Sequence, residues 1–103
     1  VRERDIERHL VKRVKELGGE VRKVQWIGRR GAPDRLVMLP AKPASNSLDC
    51  AWCNPKGRSI YVELKAPGEK PEPHQAREHA RMRAMGQHVE VVDSIQRVDE
   101  VLA

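Results

Sequence analysis

Ile60-Tyr61-Val62-Glu63-Leu64-Lys65-Ala66 is an apolar run interrupted by one acid and one base set two residues apart. Alternation in a strand places residues i and i+2 on one face. Glu63 and Lys65 therefore point the same way, flanked by Tyr61, while Val62 and Leu64 point into the core. An acid and a base held on a rigid strand cost stability unless something binds beside them. Upstream, Gly31-Ala32-Pro33-Asp34 leads into a second apolar run, Leu36 to Leu39. A second carboxylate thus enters at the start of a neighbouring strand. Two carboxylates and a lysine converging in this way suit a divalent cation and an activated water.

The rest of the chain reads outward from these two strands. Ile6, Leu10, Val14 and Leu17 recur at helical spacing and predict a helix over residues 3–18, ended by Gly18-Gly19. Glu7 lies at the edge of its apolar stripe. Val21 to Ile27 reads as a strand with Val24 and Trp26 on one face, followed by the basic turn Gly28-Arg29-Arg30-Gly31. Pro40 stops the next strand. Residues 41–57, rich in Pro, Ser and Asn, read as a long irregular insertion. Arg58 to Ala66 forms the Glu-Leu-Lys strand, and a loop from Pro67 to Pro73 carries Lys70. A helix over 74–85 ends at Gly86, a strand covers 88–92, and Ser94 caps a last helix through Leu102. The expected order is αβββαβα, an α/β fold in one domain over residues 1–103.

Composition narrows the class. With 103 residues there is room for one domain. Phe is absent and aromatics make up 3%, so the core must come from aliphatic side chains, and dimerisation would help a core this small. The net charge of +5 favours polyanions such as nucleic acid, although a basic surface alone is also compatible with simple solubility. No apolar run is long enough for a transmembrane helix. The charged start, Arg2-Glu3-Arg4-Asp5, speaks against a secretory signal, and two free loop thiols suit a reducing cytoplasm.

The order of elements, with Pro-Asp before one strand and Glu-X-Lys on the next, resembles the PD-(D/E)XK nuclease superfamily. The finer pattern is similar to its virus-type replication-repair nuclease branch, VRR-NUC. The matching pieces are Glu7 in the first helix, Gly31-Ala32-Pro33-Asp34, Val62-Glu63-Leu64-Lys65, Gln75 opening the second helix, Gly86-X-X-Val89-X-Val91-Val92, and the Ser94 turn. Each piece alone is common; their order and spacing over nearly the whole chain carry the likeness. The insertion at 41–57 departs from it.

The resemblance implies a restriction-endonuclease-like core, a mixed central sheet flanked by helices, and Mg²⁺- or Mn²⁺-dependent hydrolysis of DNA phosphodiesters. It makes Asp34, Glu63 and the Leu64 backbone carbonyl metal ligands, with Glu7 a ligand directly or through water and Glu3 its rival one turn earlier. Lys65 would position or deprotonate the attacking water, or act by its charge alone. Gln75 suits either a metal-bound water or the first turn of its own helix. His79, one turn on, reads as a packed core histidine, and Tyr61 as a DNA contact or a strand cap. Arg29, Arg30 and Arg35 bracket the site and, with Lys23 and Lys70, are the expected phosphate contacts. No base-reading element stands out, so shape-selective cutting of branched DNA such as a Holliday junction, by a homodimer in a bacterial or phage-infected cell, is the implied activity.

Two other readings stay open. A non-cleaving DNA-binding module of the same fold is one, although Asp34, Glu63 and Lys65 are all present. A zinc-linked interaction domain using Cys50 and Cys53 is the other. Their Cys-X-X-Cys spacing supplies half of a four-ligand site, but no second pair lies nearby, and free loop thiols are the simpler reading of the two cysteines.

Overall fold

The computed structural model describes residues 1–41 and 57–103. The insertion, with Cys50 and Cys53, lies outside the described residues apart from its two ends. The elements run α1 (Glu3–Glu16), β1 (Glu20–Lys23), β2 (Arg35–Leu39), β3 (Arg58–Leu64), α2 (Pro73–Ala84), β4 (Val89–Val92) and α3 (Ile95–Leu102). This is the expected αβββαβα order.

The four strands form one mixed sheet in the order β1-β2-β3-β4. β2 runs antiparallel to both β1 and β3, while β4 runs parallel to β3. A parallel neighbour requires a crossover, and α2 supplies it. Alternation along the strands sorts the two faces. Val37, Leu39, Ile60, Val62 and Leu64 pack against Ile6, Leu10 and Val14 of α1 and Val98, Val101 and Leu102 of α3 in one aliphatic cluster. The other face carries Tyr61 and Glu63 and is covered by α2.

Local chemistry explains the boundaries. In α1 the Asp5 carboxylate accepts the Arg2 backbone N–H at 2.8 Å, one of the donors left open at a helix start. Ser94 Oγ accepts the Arg97 N–H at 3.0 Å and caps α3 as its sequence position suggests. The Arg58 guanidinium donates to the Leu102 carbonyl at 3.2 Å, tying the last helix to β3.

β1 is shorter than the apolar pattern through Ile27 predicts. Its ladder ends where the Val24 N–H donates to the Asp34 carbonyl at 3.0 Å. Trp26 then turns inward: its indole N–H donates to the Pro33 carbonyl at 2.7 Å, and its ring packs on Tyr61 with centroids 5.8 Å apart. Ile27 is left 96% exposed. The competing bond from Trp26 outweighs continued pairing and folds residues 24–34 into the turn that delivers Asp34.

Candidate active site

Asp34 and Glu63 meet because β2 and β3 are in register. Arg35 pairs with Val62 and Leu36 with Tyr61, so one further step sets Asp34 opposite Glu63. Directly opposed residues share a face, with Cβ atoms about 4.5–5.5 Å apart. Lys65, two residues beyond Glu63, lies on that face, and its backbone N–H extends the ladder to the Val92 carbonyl at 2.9 Å. The acid, the second acid and the amine thus come from two rigid strands.

Glu63 is buried, and burial together with the Asp34 charge pushes its carboxyl up to about 7; Lys65 pulls the other way. Asp34 Oδ2 is bound by Arg35 at 3.0 Å, but Oδ1 is buried with no hydrogen-bond partner. An unpaired buried oxygen beside a buried acid is costly, and both costs fall if a positive charge sits between them. Two carboxylates and the Leu64 carbonyl are hard oxygen donors of the kind Mg²⁺ or Mn²⁺ takes, with water and substrate phosphate completing the shell. Among the described residues no group of three His, Cys, Asp or Glu side chains closes a metal site by itself.

The other expected residues fall into distinct places. Arg35 projects to the α1 side of the sheet and takes Glu7 in a short ion pair, while its other nitrogen holds Asp34. Glu7 therefore reaches the site through Arg35. Glu3 is close enough for its charge to raise the Glu63 pKa. Gln75 accepts the Glu72 backbone N–H at 2.9 Å, so its side-chain oxygen serves the start of α2. Arg35 itself is nearly buried, with 12% of its side chain exposed, and is committed to carboxylates rather than to phosphate. Lys23, Arg30 and Lys70 are exposed.

One interaction is not foreshadowed by the residue pattern. Arg29 is held by Glu78 through paired bonds of 2.6 and 3.2 Å, which keeps the Glu78 carboxyl below its usual range. Their separation of 49 residues hides the pair from any local reading. His79 is 1% exposed, and its Nε2 lies 3.8 Å from Glu63 Oε1, beyond hydrogen-bond reach. Burial pushes the pKa of this imidazole down. It is the packed histidine the helix pattern suggests, and its position walls off the buried side of Glu63.

Gly31 brings the Asp34 turn against α2. Its φ is +87°, and a Cβ there would lie 2.8 Å from the His74 carbonyl oxygen. Gly31→Ala is expected to lower stability by about 2–3 kcal/mol, from backbone strain and backbone collision together. Gly68→Ala, at φ +82° but with nothing within 4 Å, isolates the strain and is expected to lose about 1 kcal/mol. Urea unfolding of the two variants measures the difference.

With this geometry established, the relatives become informative. The chain is 49% identical over 94 residues to "Putative nuclease p44" of Acyrthosiphon pisum secondary endosymbiont phage 1, covering 91% of this chain and 85% of that protein. A solved structure described as a VRR_NUC domain superposes with a TM-score of 0.76 at 39% identity, over 97% of this chain and 92% of the other. No family model matches the sequence. The chain belongs to the VRR-NUC nuclease family, and its three helices and four-stranded mixed sheet are that family's PD-(D/E)XK-type fold.

Proposed function

We propose that this protein is a divalent-metal-dependent DNA endonuclease that selects branched DNA by shape and acts as a homodimer. The observation that carries the metal-dependent part is the Asp34–Glu63 corner: two opposed carboxylates, one buried with its pKa pushed up to about 7, the other with a buried oxygen lacking any partner. Asp34, Glu63 and the Leu64 carbonyl would hold Mg²⁺ or Mn²⁺. When bound, such an ion stabilises charge developing on the phosphate and makes water nucleophilic at neutral pH. Arg35 fixes the Asp34 carboxylate from the protein side, and the Glu7 carboxylate fixes Arg35 in turn. Lys65 faces the same space as Glu63 and orients or deprotonates the attacking water while countering phosphate charge. His79 and α2 exclude water from behind Glu63.

The branched-DNA part rests on the family likeness and on a basic surface suited to backbone contacts. A homodimer would carry two symmetric sites, which suits paired nicks across a four-way junction. Incubation of labelled four-way junction, flap and linear duplex with Mg²⁺, Mn²⁺ or chelator tests these features. The expected result is metal-dependent cutting that favours the junction. Equal cutting of all three would remove shape selection, and a monomer in sedimentation with junction bound would remove the dimer.

A further inference from the structure

The basic turn and α2 enclose a second feature. Gly28, Arg29 and Arg30 face His74, Arg77, Glu78 and Arg81 across a cleft of about 240 Å³. Four guanidinium groups thus meet a single carboxylate. That carboxylate is already neutralised by Arg29, which leaves Arg30, Arg77 and Arg81 as the cleft's unbalanced charge. Arg77 and Arg81 stand one helical turn apart, a like-charge spacing that destabilises a helix and is offset when an anion lies between the groups. The paired bonds from Arg29 to Glu78 tie the turn to α2 and fix one wall of the cleft. The cleft adjoins the cleavage corner: Gly31 packs on the His74 backbone, and Asp34 follows three residues later.

We infer that this cleft seats a backbone phosphodiester of duplex DNA, on an arm running away from the cleaved bond, with Arg30, Arg77 and Arg81 as the contacting groups. The inference rests on the reading of the chain as a DNA-binding nuclease, and it assigns α2 a part in substrate placement that the cleavage residues do not have. An anion held between a rigid turn and a helix would fix the direction in which the duplex leaves the site.

The test is equilibrium binding of a 30-bp duplex in chelator, at salt concentrations from 50 to 200 mM. Arg77→Gln/Arg81→Gln is compared with Arg8→Gln/Lys12→Gln, which removes the same charge from the exposed side of α1. Each phosphate contact contributes roughly 0.9 to the slope of log K against log salt. The α2 pair is expected to lower that slope by about 1–2 and weaken binding about tenfold or more at the low-salt end. Arg77→Lys/Arg81→Lys should restore most of the slope, which excludes a folding defect as the cause. An unchanged slope in the α2 variant, or equal losses in the α1 and α2 variants, overturns the inference. Because nothing is cut in this assay, failure of the nuclease reading would show separately, as absence of cleavage when metal is added.

Discussion

Lys65→Ala is expected to cut DNA about 10²–10⁴-fold more slowly than the parent protein while folding and binding DNA almost normally. The Lys65 backbone is held to Val92 by a 2.9 Å ladder bond that does not involve the side chain, so truncation removes the amine and leaves the strand in place. The loss should appear in the rate of the chemical step under single-turnover conditions, with the dissociation constant little changed. Lys65→Arg separates the two roles open to the amine. A guanidinium keeps the charge but cannot give up its proton. Partial activity in that variant assigns Lys65 an electrostatic role; activity as low as in Lys65→Ala assigns it proton transfer. Normal cleavage by Lys65→Ala would remove it from the reaction.

The second large effect concerns stability and reverses with pH. Glu63 has a folded pKa of about 7 against an ordinary 4.5. An acid whose pKa is raised on folding supports the fold when protonated. Its contribution is full below about 4.5, declines as pH rises toward 7, and is gone above that. At pH 8 the charged Glu63 therefore costs about 2–3 kcal/mol in metal-free protein. Glu63→Gln keeps the shape without the charge, so it should raise Tm on the order of 10 °C at pH 8 and have little effect at pH 4.5. His79 titrates in the opposite sense, since its depressed pKa favours the fold as pH rises. Because His79 Nε2 lies 3.8 Å from Glu63 Oε1, the difference between parent and Glu63→Gln removes that background except for the part coupled to the Glu63 charge. Added Mn²⁺ should stabilise the parent protein at pH 8 and leave Glu63→Gln unmoved. Calorimetric scans at the two pH values, with and without Mn²⁺, give all four numbers. A lower Tm for Glu63→Gln at pH 8 without metal would show that the Glu63 charge already has its partner inside the protein.

Much of this arrangement was legible in the chain because it is written in local patterns. The period-2 alternation around Glu63 and Lys65 placed both on one face, and the Pro-Asp entry to β2 put a second acid beside them. The aliphatic spacing of Ile6, Leu10 and Val14 set α1 on the opposite face, where all three are fully buried. What was not legible is pairing between distant elements. Nothing near Arg35 announces Glu7 as its partner, and nothing near Arg29 announces Glu78. Both arginines read as free cations for DNA, and both are bound by carboxylates across the fold. The bend after Lys23 escaped for a related reason. β-propensity favours continuing the strand through Ile27, whereas the Trp26 indole finds its partner only once Pro33 has folded back. In each case a specific side-chain bond formed in the tertiary structure outweighs a local preference.

The most direct test is single-turnover cleavage of a labelled four-way junction by the parent protein and by Asp34→Asn, each with Mn²⁺ and with chelator. Two opposed carboxylates sharing one hard cation predict cutting by the parent with Mn²⁺ alone, and none by Asp34→Asn in either condition. Cutting in chelator, or undiminished cutting by Asp34→Asn, would contradict the assignment of the site.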